Sequence, residues 1–318
     1  MQFDCLTIGI VVADFVCAPV PKMPAAGELA MTERLSLAIG GCASNVAVDL
    51  RKLGLHVGLV GRTGDDMPGT FVRDSLAAAG VDTTHLLATP GEQTSGTLVI
   101  NVRGEDRRFI HAFGANAAFD GSEITPELIS SARVLYLGGF FLMPRLTGSA
   151  VAKIFQTARA AGVLTVLDVA IPDPRNCWPE LAAALPHTDV FLPNIDEGRQ
   201  LTGFDDPLVQ AEKFRDAGAG TVVITCGGDG AVLVNPNTKL RAGAYHVDFV
   251  DGTGSGDAFD AGYIFGLLNG DSPARCLELG SALGASCVRQ PGATTGVFTR
   301  CELDEFLARE RIAVTRLP

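Results

Sequence analysis

The chain has 318 residues, 47% hydrophobic and 19% charged, with a net charge of −11 at pH 7. It can bury one large α/β core, its field repels nucleic acid with no basic stripe to offset it, and no apolar run reaches the length of a membrane span. No basic region precedes the apolar stretch at residues 5–12, which is strand-length and not a signal-peptide core, so the expected location is cytoplasmic.

Strands are predicted near residues 6–12, 57–60, 134–137, 165–168, 190–192 and 221–225, and helices near 44–53, 70–79, 148–161 and 208–217. Apolar strands alternating with helices imply a mostly parallel sheet covered on both faces. Residues 16–37 and 94–111 have instead the polar, alternating look of antiparallel strands. No Pro/Gly/Ser-rich linker or charge run divides the chain, which predicts a single domain. The eight cysteines, at 5, 17, 42, 177, 226, 276, 287 and 301, contain no CxxC and read as free, mostly buried thiols of a reducing compartment.

Several segments carry more than core pattern. Asp14 follows the first apolar strand, where an Asp is a turn residue or a ligand for hydroxyls. Residues 40–54, GGCASNVAVDLRKLG, open with two glycines that allow close backbone approach. Asn45 offers both donor and acceptor, ahead of a helix stripe closed by Gly54. Residues 112–119, AFGANAAF, read as a polar loop containing Asn116. In residues 193–203, PNIDEGRQLTG, Asn194 and Glu197 have the spacing of a capping box, and residues 225–234, TCGGDGAVLV, read as a hairpin turning at Gly227 to Gly230.

The most informative stretch is DGTGSGDAFDAG, residues 251–262. HVDFV at 246–250 reads as a short strand ahead of it, and Ala258, Ala261, Gly262, Phe265 and Leu268 recur at helical spacing until Gly270. Strand, glycine turn, helix is an anion-binding order. The glycines let the backbone approach a ligand, and the free N–H groups and positive dipole end of the helix attract negative charge. Asp257 sits on the lip of that cradle, kept ionised by the dipole and able to take a proton from an attacking hydroxyl; an Asp favoured at a helix start is the plainer alternative.

These segments resemble the two signatures of the PfkB or ribokinase family of small-molecule kinases, in the family's order, and the resemblance runs from Gly9 to about Gly296. It implies a ribokinase-like three-layer α/β/α fold with a mostly parallel central sheet and a small β lid built from the insertions near 16–37 and 94–111. The implied activity is ATP-dependent phosphorylation of an alcohol, with Asp257 as base and the backbone of Gly254, Ser255 and Gly256 as anion hole. Asp14, Gly40, Gly41, Asn45 and Asn116 would then face the substrate. Asn194, Glu197, Thr225, Gly227 and Gly230 would serve ATP and its Mg²⁺, and a monovalent cation such as K⁺ would lie near Asp251, Thr253 and residues 289–296. Pairing of two copies through the lid is common in the family.

Departures limit the substrate. Cys42 stands where ribokinase has a lysine, and residues 136–143, YLGGFFLM, lack its sugar-binding glutamate. Gly252 replaces a common threonine, and residues 167–178, LDVAIPDPRNCW, carry Ala170 at the asparagine place of fructokinase-like members. Ribose and simple fructokinase identity are both weakened, and a nucleoside kinase or a non-catalytic sugar sensor on the same fold are the alternatives. No GxxxxGK[ST] occurs, which excludes a P-loop kinase, and GTGSGD lies too late and at the wrong spacing for a dinucleotide fingerprint.

Overall fold

The computed structural model describes residues 2–105 and 108–318; Asp106 and Arg107, inside the predicted 94–111 insertion, lie outside the described residues. The first part of the chain forms β1 (Phe3–Gly9), β2 (Val12–Val20), β3 (Leu35–Gly40), α1 (Cys42–Lys52), β4 (Val57–Gly64), α2 (Met67–Ala78), β5 (Leu86–Thr89), β6 (Gly96–Val102) and β7 (Arg108–Ala112). It continues with α3 (Pro126–Ser130), β8 (Ala132–Phe140), α4 (Gly148–Ala160), β9 (Leu164–Val169), α5 (Cys177–Ala184), β10 (Val190–Phe191), α6 (Ile195–Thr202) and α7 (Pro207–Asp216). The last elements are β11 (Thr221–Thr225), β12 (Ala231–Val234), β13 (Lys239–Ala242), α8 (Ser255–Asn269), α9 (Pro273–Cys287), α10 (Arg300–Arg309) and β14 (Val314–Arg316).

The large sheet has the order β14-β13-β12-β11-β10-β9-β8-β1-β4-β5. Pairings from β11 to β5 are parallel and those of β12, β13 and β14 are antiparallel. Its inner strands, such as β1, β8, β9 and β11, are buried on both sides. In β1, Cys5 joins a core shared with α1, α2, α8, α9 and α10, while Leu6 and Ile8 join one shared with α3, α4, α5 and α7. Two apolar cores against one sheet make the three-layer α/β/α architecture. Helix starts follow local capping: the side chains of Asp66, Thr147, Asp206 and Ser272 each accept a first-turn N–H.

The small sheet has the order β3-β2-β6-β7. Residues 16–37 supply most of β2, a connection and the start of β3, and residues 94–111 supply β6 and β7. The β2–β3 and β6–β7 pairs are antiparallel as expected, but β2–β6 is parallel. One strand was expected over 6–12, and two form. At Gly9, φ is +140°, and an added Cβ would lie 2.1 Å from Gly138 O, so the chain can turn out of the large sheet only because that residue is glycine. It enters the small sheet at Val12, which delivers Asp14 there.

The expected strand at 246–250 is absent. β13 already takes the neighbouring place in the sheet, and Phe249 and Val250 lie exposed without a partner strand, while Val250 and Asp251 donate their N–H groups to Val288 O. All eight cysteines are free, but only Cys5, Cys177, Cys276 and Cys287 are buried; Cys301 is exposed and the other three are half-buried, so burial is less complete than expected. Among the described residues no helix is long and apolar enough to cross a membrane.

Candidate active site

The α8 helix begins at Gly254, whose φ is +76° and whose Cβ, if present, would lie 2.4 Å from Ala293 O. Both the conformation and the surroundings of Gly254 require glycine, whereas Gly256 stands in open space. Ser255 N–H turns back to Gly252 O at 3.3 Å. The N–H groups of Gly256 and Asp257, in the first turn of α8, have no acceptor among the described residues.

Asp257 is half-buried beside that turn. Asn45 Nδ2 donates to its Oδ2 at 2.8 Å, joining α1 to α8. Cys42 Sγ and carboxylate oxygens of Asp168 and Asp257 all lie within 4.8 Å of one another. Burial pushes the Asp257 carboxyl above the ordinary carboxylate range, while hydrogen bonds from Asn45 and the Cys42 thiol pull it down. The helix dipole therefore does not by itself set the charge of this group, as the sequence suggested; desolvation opposes it. Asp168 is pushed up to about 7, first by burial and then by the charge of Asp257. Its Oδ2 accepts Gly139 N–H at 3.2 Å. That amide is presented by an irregular end of β8, where pairing with β9 shifts register between Leu137 and Phe140 and Phe141 adopts φ +84°. Below, Tyr136 OH donates to Asp260 Oδ2 at 3.1 Å.

Asp14 lies at the edge of the same space. Its carboxyl is pushed up to about 6, chiefly by burial, with Thr97 hydrogen-bonding it and the charge of Asp257 adding to the rise. Gly40 lets it in, because a Cβ there would lie 2.1 Å from Asp14 Oδ2. Gly41, with φ +93°, starts α1 and would meet Ile10 O at 2.4 Å. The expectation for Asn116 is corrected. Its side chain is fully buried, Nδ2 donating to Val11 O at 3.1 Å and Oδ1 accepting from Val11 N at 3.4 Å, so it fixes the crossing from β1 to β2 instead of presenting an amide to a ligand.

On the other side of the α8 start is a cavity of about 350 Å³. Thr225, Gly227, Gly230, Ser255 and Gly256 line it, so residues predicted from two separate motifs meet at one concavity. Asn194 and Glu197 form a complete capping box on α6, and Asn194 bridges to Thr225. Burial and then the Asp168 charge push the Glu197 carboxyl well up. Asp251 Oδ1 accepts from Thr253 N at 3.0 Å and Thr253 Oγ1 at 2.7 Å, and its Oδ2 from Gly292 N at 3.0 Å. Facing this corner, Cys287 Sγ donates to Thr253 O and Ala293 O, and Lys52 Nζ to Thr294 O and Val297 O.

Sequence reasoning missed two parts of the site. Asp168 looked like the polar end of an apolar strand, and nothing local told it apart. The far wall of the cavity includes Ser281, Gly284 and Ala285, whose spacing puts small side chains on one face of α9 and was a legible signal, and Val288 at the helix end.

The profile of the pfkB family carbohydrate kinases matches residues 2–300. This chain belongs to that family. It is 29% identical over 327 residues to 2-dehydro-3-deoxygluconokinase of Bacillus subtilis, covering 98% of this chain and 97% of that one. It is 30% identical over 292 residues to aminoimidazole riboside kinase of Salmonella typhimurium, covering 86% and 89%. Among solved structures, ribokinase of Arabidopsis thaliana complexed with ribose and ATP superposes with a TM-score of 0.84 at 24% identity, covering 98% and 100%, which supports the ribokinase-like fold. The protein is a carbohydrate kinase of the PfkB family.

Proposed function

We propose that the chain transfers the γ-phosphoryl group of ATP to a hydroxyl, a primary one, of a sugar or sugar-like acceptor. The observation that carries this reading is the position of Asp257. It is the acid at the start of α8, with the nucleotide-sized cavity on one side and Asp14 on the other. The acceptor O–H gives its proton to Asp257 as the oxygen bonds to the γ-phosphorus and the bond to the ADP oxygen breaks. Charge on the transferred group falls on the backbone N–H groups of Gly254, Ser255 and Gly256. Gly256 is best placed of the three, since Ser255 N–H already has an internal partner.

Asp14, Gly40, Gly41 and Asn45 bound the acceptor side in this account, and Asn194, Glu197, Thr225, Gly227 and Gly230 the nucleotide side. The charge of Asp257 raises the pKa of Asp168, Glu197 and Asp260, and that of Asp168 raises Glu197 and Asp260, a crowding of carboxylates that a divalent cation relieves. Mg²⁺ would neutralise phosphate charge there, with Glu197 holding its water shell. Asp251, Thr253 and residues 289–296 remain our assignment for a K⁺-type ion, testable by replacing K⁺ with tetramethylammonium during turnover.

The small sheet serves as the lid of a single kinase domain. Its outward residues Phe15, Leu98 and Ile110, which are register neighbours and exposed, support pairing with a second copy, to be read by sedimentation. Free thiols and the absence of a spanning helix among the described residues are in keeping with the cytoplasm. A nucleoside-like acceptor stands as the second reading, favoured by the similarity to aminoimidazole riboside kinase. A panel of sugars and nucleosides read by ADP release tests both; stimulation by none of them would leave a binding protein.

A further inference from the structure

Three polar side chains form one rung of the small sheet. Asp14 on β2 pairs in register with Thr97 on β6, which pairs with His111 on β7. Paired residues share a face, so all three lie on the same side of the sheet as the Asp14 carboxylate that approaches Gly40. Thr97 Oγ1 lies 3.0 Å from His111 Nδ1, and the Thr97 hydroxyl, directly across the rung from Asp14, is the group that pulls the Asp14 pKa down.

Proton bookkeeping fixes the direction of this chain. An ionised carboxylate can only accept, so the single hydroxyl proton of Thr97 points to Asp14. Its oxygen must then accept from His111 Nδ1–H, and a neutral imidazole protonated on Nδ1 carries a lone pair on Nε2. Burial lowers the His111 pKa, which keeps the ring neutral. Nε2 is closed off from solvent and has no hydrogen-bond partner among the described residues. With Thr97 and His111 spent on each other and on Asp14, the acceptors this rung offers a ligand are the Asp14 oxygens. The next rung on that face, Ser36, Val16, Val99 and Phe109, brings no Lys or Arg.

We propose that Thr97 and His111 are positioning residues that hold Asp14 as an acceptor for substrate hydroxyls, making the lid selective for a neutral polyol over an acceptor with a carboxylate at that place. This rests on the kinase reading only in taking Asp14 to face the acceptor. A carboxylate there would meet the Asp14 charge, with Asp257 nearby and no cation on either rung. The assignment goes beyond a resemblance to ribose or fructose kinases, because the residues that carry it are Thr97 and His111 of this chain.

Calorimetric titration of the full chain without ATP, using ribose, fructose and gluconate as probes, tests it. Wild type binds a neutral sugar and not gluconate. Thr97→Val and His111→Leu weaken that sugar about five- to twentyfold, the loss of one oriented hydrogen bond. Thr97→Ser and His111→Asn, which keep the hydroxyl and a donor at the Nδ1 place, stay within about threefold of wild type. In turnover Thr97→Val and His111→Leu raise the sugar KM while the MgATP KM holds, a split that general loss of structure does not give. Equal or tighter gluconate binding, no binding of either neutral sugar, wild-type affinity in Thr97→Val, or a Thr97→Ser variant as weak as Thr97→Val would overturn the proposal. A wild type that binds a neutral sugar and never yields ADP would refute phosphoryl transfer while leaving the rung intact.

Discussion

Asn45 and Asp257, separated by 212 positions in the chain, meet through a 2.8 Å hydrogen bond from the amide to the carboxylate. The bond ties the first signature to the second and favours the charged form of the acid against the burial that raises its pKa. Asn45→Ala removes the donor, so the acid's pKa rises and the acidic limb of the kcat pH profile moves to higher pH. An unmoved limb would show that Asn45 does not tune this group.

Asp14 adds a second pH dependence. Its carboxyl is pushed up to about 6 in the fold from an ordinary 3.8, so near pH 6 about half of it is protonated and a poor acceptor. The sugar KM is expected to climb as pH falls through 6, and Asp14→Asn to lose that dependence along with most affinity. The stability effect runs the other way. Because folding disfavours the ionised form, Asp14 costs stability above pH 6, and the cost fades as pH falls toward 4. Asp14→Asn is therefore expected to melt no lower, and by this term higher, than wild type at pH 7.5. A clear drop in Tm with unchanged KM would make Asp14 a structural residue.

Gly254→Ala tests the turn that starts α8. The φ of +76° and the 2.4 Å approach to Ala293 O leave no room for a methyl group, and the strain is expected to cost about 1–3 kcal/mol. Thermal unfolding reads that loss, and turnover should fall with it as the backbone N–H groups shift. Gly256→Ala, in open space, is expected to keep wild-type stability within about 1 kcal/mol, the modest change usual where a new methyl meets nothing. Equal stability in the two variants would show that the strain argument for Gly254 is wrong.

The sheet was legible because its strands are near-continuous apolar runs, and α8 because Ala258, Ala261, Phe265 and Leu268 keep helical spacing up to Gly270. What misled was periodicity without a neighbour. HVDFV alternates like a strand, but β13 and β14 already fill the places beyond β12, so it runs irregular beside the cavity. Asn116 was quoted for its motif, yet a polar amide in a loop can as well satisfy a backbone, and here it satisfies Val11. The catalytic-side acids were half visible. Asp257 announced itself through its glycines, whereas Asp168 sits near the end of β9 and meets Asp257 and Gly139 only through tertiary contacts that no local pattern encodes.

The central claim is that Asp257 takes the acceptor's proton. The most direct measurement is formation of the phosphorylated sugar, by mass spectrometry, from saturating MgATP and the best-binding sugar with wild type and Asp257→Asn. The account predicts that the variant folds and binds ATP as wild type does while forming product about 10² to 10⁴ times more slowly. Product formation within a few-fold of wild type would contradict it.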